Sequence, residues 1–183
     1  ASSISAVTYI YLAKHVFDLE DISSRILFLY FFAGLLVMPV WMKISYLIGK
    51  SRTLFISTIL CSLTLATYLF IDTNDALSTL ITLTVLYGIG YGAPFTLTRA
   101  MMADIVDADE LRSDKKRPGL FYSILTTFSK VGAAIAVGLV YTYLEFSGFK
   151  PDQIASDRIK EILLFVFAFI PMILYFCASL FCI

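Results

Sequence analysis

Apolar residues run on in this chain rather than alternating with polar ones, and short charged stretches break the runs. Six runs, near residues 1–17, 22–48, 53–71, 76–102, 119–144 and 159–183, predict six helices. Five of the six reach the roughly 18 to 25 residues that a helix needs to cross a bilayer. The first is short, and the chain opens inside it, so it reads as the tail of a helix and the chain as part of a larger protein. No basic stretch or cleavage site precedes it, as a signal peptide requires.

Composition sets the solvent. Hydrophobic residues make up 59% of the chain, charged residues 15%, and the mean hydropathy is +0.84. A soluble domain of 183 residues leaves about a third of its surface wet and could not hide so much apolar area. The expected fold is therefore an all-α membrane protein with six transmembrane helices, and the lipid bilayer is its first partner. A formal net charge of zero and the lack of a large basic patch argue against nucleic acid. Cys61, Cys177 and Cys182 sit in apolar runs and read as small hydrophobes. A single histidine argues against a His-based metal site. No P-loop or dinucleotide fingerprint is present.

Lysine and arginine set the orientation. Asp18–Asp21 and Asp72–Asp75 mark acidic loops, whereas Lys43, Lys50 and Arg52 flank the second turn, and Arg112, Lys115, Lys116 and Arg117 fill the fourth. The positive-inside rule puts the basic turns, and both ends of the segment, in the cytoplasm. The loop Ser147–Arg158 is mixed, with Lys150 and Arg158.

Candidate chemistry follows from residues that are costly in lipid. Lys130 lies in an otherwise uncharged run from Gly119 to Leu144, roughly 16 Å from its start and close to the midplane. An ammonium at that depth requires a water-filled cavity or a carboxylate partner. The acids of this chain lie at other depths, so the expected partner belongs to a segment outside it. Asp104, Asp107 and Glu110 recur every three residues and share one helix face, so cations must meet them. Arg99 and Arg117 are the expected partners, giving a charged cytoplasmic latch. The same spacing has no histidine or nucleophile beside it, so enzymatic chemistry is not expected. Gly88, Gly90, Gly92 and Pro94 predict a bend in the fourth helix, with weaker cases at Pro39 and Pro171. Ala134 and Gly138 form a small-residue pair suited to helix packing.

The stretch A103DIVDADELRSDKKRPGLFYSILTTFSK130 carries a family resemblance. It is similar to the signature of the glycoside–pentoside–hexuronide:cation symporters, the melibiose-permease-like branch of the major facilitator superfamily. The matching positions are Ala103, Asp104, Ile105, Val106, Asp107, Glu110, Gly119, Tyr122, Ser123 and Lys130, and P39VWMKISYLIGKSR52 resembles the family's proline-led basic loop. The resemblance implies the C-terminal six-helix half of a twelve-helix carrier in the plasma (inner) membrane, with the N-terminal half outside this chain. It implies symport of a small-molecule substrate, probed first as a glycoside, with Na⁺ or H⁺ bound mainly by the other half and no cofactor. Lys130 then belongs near the cation and sugar sites. Phe95, one turn from Tyr91, offers a ring to the apolar face of a pyranose, and Thr126 a hydroxyl. This chain has Ala108 and Asp109 where several relatives carry an aromatic. A passive channel and a membrane scaffold are the alternatives; only a carrier accumulates solute against its gradient.

Overall fold

The computed structural model describes residues 1–17, 20–70, 76–149 and 156–182. Asp18, Asp72 to Asp75 and Lys150, which entered the charge-based topology, lie outside them. Helices α1 (Ser2–His15), α2 (Glu20–Ile48), α3 (Lys50–Tyr68), α4 (Ala76–Ser113) and α5 (Pro118–Phe146) follow in order. A last rod is built from α6 (Asp157–Leu164), a π-helical turn (Phe165–Phe169) and α7 (Ile170–Leu180). Six rods, as expected, are thus present among the described residues, with α4 running on past residue 102 to Ser113 because its charged end remains helical beyond the apolar run.

Among the described residues, four helices are long and apolar enough to cross a membrane: Ile22–Ile48, Leu77–Ser113, Pro118–Phe146 and Arg158–Leu180. The third rod, expected as a fifth, has the length of a span, about 28 Å, but is rich in Ser and Thr. Those hydroxyls explain its lower hydropathy without placing it in water. Thr53, Ser57, Thr58, Ser62 and Thr64 are buried, whereas Ile56 and Leu63 are exposed. The hydroxyls share the buried face with Cys61, Leu65 and Tyr68, an arrangement that suits a bundle whose solvent is hydrocarbon.

The buried hydroxyls are satisfied locally. Thr58 Oγ1 donates to the Leu54 carbonyl at 2.8 Å and Thr64 Oγ1 to Leu60 at 2.8 Å, one turn back. Others tie rods together: Ser62 Oγ donates to the Met172 carbonyl at 3.1 Å, and Tyr68 shares a hydrogen bond of 3.0 Å with Thr84. Ser5 Oγ donates to the Phe167 carbonyl at 3.3 Å. In an α-helix that carbonyl looks to the N–H of residue 171, which is proline and has none. Pro171 and the π-helical turn are therefore one local feature, stitched to α1.

Helix α4 continues through Pro94, and its glycines, singled out for a bend, serve close approach. A Cβ at Gly88 would overlap the Tyr30 carbonyl oxygen, and one at Gly92 would come within 2.7 Å of the Gly34 carbonyl oxygen. A Cβ at Gly90 would meet Cys61 Sγ at 2.7 Å. Helix α4 thus lies backbone to backbone against α2 on one side and close to α3 on the other. By contrast, nothing lies within 4 Å of a Cβ added at Gly138, so the Ala134–Gly138 pair does not form the packing face expected of it among the described residues. Trp41 locks the α2–α4 seam further down, its Nε1 donating to the Ile89 carbonyl at 2.8 Å.

Candidate functional site

Helices α4 and α5 are joined by only Asp114 to Arg117, which sets the end of one beside the start of the other. Their register is fixed at one end, where Tyr122 Oη donates to the Arg99 carbonyl at 3.3 Å. From there each helix presents residues four apart: Arg99, Phe95 and Tyr91 on α4, and Tyr122, Thr126 and Lys130 on α5. Residues four apart stack on one face, so the two series descend together in steps of about 6 Å.

These side chains line a single cleft of about 440 Å³, completed by Pro94, Thr98, Leu125, Ser129 and Ala133 and by Ser2 and Ser3 of α1. Tyr91, Phe95, Thr126 and Lys130, singled out in the sequence, are all on its wall. Lys130 is exposed and lines this space, the open surroundings that an ammonium in an apolar run requires. An aromatic row backs the cleft: Tyr30 stacks on Tyr87 and Tyr91 at 5.5 and 5.8 Å between centroids, and Tyr91 leans on Phe95 at 6.4 Å.

The charged cluster at the end of α4 is paired otherwise than expected. Arg99 is not part of it; its guanidinium lies over the Phe95 ring at 4.1 Å, on the cleft wall. Asp104 is met by Lys50 Nζ at 2.6 Å, and the same ammonium donates to the Ala100 carbonyl at 3.2 Å. Arg117 grips Asp109, a residue not singled out for this role, with contacts of 2.8 to 3.2 Å. Asp114, with φ of 54°, turns the chain back so that Arg117 can reach. Glu110 pairs with Lys116 at 3.4 Å. Asp107 is exposed and in no ion pair among the described residues. The reason for the re-pairing is packing: α3 lies against α4, so its first residue faces Asp104, while Arg99 points to the other side.

Lys50 stands in the first turn of α3, where the helix dipole disfavours a cation. Its tertiary partner offsets that local conflict. With side chains 28% and 60% exposed, the pair contributes about 1 kcal/mol or less. Lys50→Ala is expected to lower the melting temperature only slightly and Lys50→Glu clearly more, by repulsion from Asp104. The exchange Lys50→Asp with Asp104→Lys should recover most of the loss; a thermal melt of the four proteins checks this.

The MFS/sugar transport protein family matches residues 1–183. The chain is 29% identical over 116 residues to an uncharacterized symporter of Synechocystis sp., covering 63% of this chain and 21% of that protein. It is 23% identical over 171 residues to YagG of Escherichia coli, a candidate glycoside/cation symporter, covering 91% of this chain and 36% of that protein. It is 23% identical over 129 residues to a sodium-dependent lysophosphatidylcholine symporter of Gallus gallus, covering 69% and 24%. No solved structure matches significantly. The chain spans between 21% and 36% of the length of the curated relatives it matches. These relatives are named as transporters, not enzymes. With an unbroken family match, apolar spans and hydroxyls turned inward, this chain belongs to the MFS/sugar transport family and is an integral membrane protein.

Proposed function

We propose that this chain forms one half of a carrier that moves a sugar-like solute together with Na⁺ or H⁺ by alternating access. The observation that carries the reading is the cleft in which Lys130, Thr126, Tyr91 and Phe95 face one space. Ring faces suit the C–H face of a pyranose, hydroxyls suit its OH groups, and a lysine at the midplane is suited to meet cation-binding carboxylates across the cavity. The relative named as a glycoside/cation symporter supports the same choice of solute and coupling. On this reading the ion pairs at the end of α4 form a cytoplasmic latch, closed when the carrier opens outward and released when it opens inward. The basic turns then face the cytoplasm of a plasma (inner) membrane.

The test uses the full-length carrier in proteoliposomes with radiolabelled methyl glycosides. An inward Na⁺ or H⁺ gradient is expected to drive accumulation above the external concentration, with exchange of labelled for unlabelled solute. Flux that stops at equilibrium under every gradient would show a channel and overturn the proposal. No flux at all would leave a scaffold and overturn it equally.

A further inference from the structure

We propose that a second, smaller cavity between α1, α2 and α4 is a hydration site, where water is held at the hydroxyl of Tyr9 and joins α1 to its neighbours. The site is separate from the candidate solute residues and holds whichever solute the cleft carries.

The cavity measures about 70 Å³ and borders the cleft. Ser2 stands on the wall of both, and Tyr30 and Tyr87 of the aromatic row line the smaller one. Among the described residues its lining carries no charged group, which favours a neutral occupant over an ion. Size decides between neutral occupants. Liquid water takes about 30 Å³ per molecule, whereas an apolar cavity that binds benzene measures about 150 Å³. About two waters fit, and an aromatic or sugar ring does not.

Polar groups on the wall call for water. Tyr9 is only 4% exposed, and its Oη has no hydrogen-bond partner among the described residues. Thr84, on the same wall, already shares a hydrogen bond of 3.0 Å with Tyr68. Tyr87 Oη reaches Ser5 Oγ and Tyr175 Oη, both at 3.4 Å. Bonds between hydroxyls are usually about 2.7 to 2.8 Å long, and a phenol has a single proton to give. Tyr87 and Ser5 therefore keep capacity for a further partner, and a water at Tyr9 finds the several polar contacts that it needs. Leaving a buried phenol unmet typically costs more than immobilising a water. The contact is also exchangeable, so α1 can shift against α4 without stranding the phenol.

Radiolytic hydroxyl-radical footprinting of the purified full-length protein in isotopically labelled water, read by mass spectrometry, tests this on water itself. Radicals formed from bound water mark the side chains beside it, whereas dry buried side chains stay unmarked. Tyr9 is expected to take up the label several-fold faster than Trp41, a more reactive ring that is buried in the tightly packed α2–α4 seam. Tyr9→Phe keeps the ring and removes the hydroxyl. Labelling of Tyr87 should then fall several-fold, and the melting temperature by a few degrees. Labelling of Tyr9 as slow as that of Trp41 overturns the site, and covers the case in which a lipid or detergent tail fills the cavity. Unchanged labelling of Tyr87 in Tyr9→Phe overturns it too, because the water would then not be held by this hydroxyl. So does a melting temperature of Tyr9→Phe at or above the wild type, since deleting an unmet hydroxyl is neutral or stabilising.

Discussion

Replacing Gly88 by valine should prevent the helix bundle from assembling, and even Gly88→Ala should destabilise it by several kcal/mol. A methyl group at this position has no space: the Tyr30 carbonyl oxygen occupies it, with the Tyr30 carbonyl carbon and Cα at 3.1 and 3.2 Å. These neighbours are backbone atoms of α2, so no rotamer change can relieve the contact. The helices must separate, and Gly34 and Gly92, whose added Cβ atoms would meet the opposing carbonyls at 3.2 and 2.7 Å, lie on the same seam. Overpacking typically costs about 1 to 3 kcal/mol where side chains can yield, and a rigid backbone neighbour places this site at or above that range. Exposed glycines on α5 supply the control. Gly132 and Gly138 have nothing within 4 Å of an added Cβ, so alanine there should be neutral or stabilising by about 0.4 to 1 kcal/mol, through the unfolded chain. Thermal unfolding of the full-length protein in detergent separates the two classes. Gly88→Ala melting alongside Gly138→Ala would refute the account of the seam.

That contrast also shows what the sequence could and could not disclose. Glycines at 88, 90 and 92 are conspicuous in the sequence, but whether a helix needs them for bending or for contact depends on what lies opposite, here Gly34 and Tyr30. The apolar runs gave the rods because lipid selects on length and hydropathy alone. They missed in detail that α3 buries its hydroxyls, since a buried threonine and a lipid-facing leucine break the rule that works in water. The cleft was more legible. Arg99, Phe95 and Tyr91 on one helix mirror Tyr122, Thr126 and Lys130 on the next, about the short turn between them. The ion pairs were less so. Lys50 and Asp104 are 54 residues apart, and nothing local to Asp104 favours Lys50 over Arg99. Asp109 was passed over as a departure from the resemblance, although Arg117 on the returning turn lies within reach of it.

Lys130→Ala is expected to abolish cation-driven accumulation in the full-length carrier while leaving its melting temperature near that of the wild type. The two halves of that statement come from one observation. Lys130 faces the cleft and makes no ion pair or hydrogen bond with the described residues, so its removal breaks nothing that holds these helices together. An ammonium at the centre of a membrane span costs about 2.5 to 3.5 kcal/mol even on insertion scales, and deleting it should not weaken the fold. On the proposed carrier reading, what is lost is the charge presented to the other half. A nearby ammonium lowers the pKa of facing carboxylates and competes with a bound cation for them. Each pKa unit of that interaction amounts to about 1.4 kcal/mol, or tenfold in occupancy. Without it the carboxylates are expected to hold their cation through the whole cycle, so that solute exchanges across the membrane but is not concentrated. Lys130→Arg, which keeps the charge and changes its geometry, should retain part of the accumulation. Uptake under an imposed Na⁺ or H⁺ gradient, measured beside counterflow exchange, reads both effects. Accumulation by Lys130→Ala at the wild-type level would remove Lys130 from the coupling path. A lower melting temperature for Lys130→Ala with normal accumulation would assign it to holding the two halves together instead.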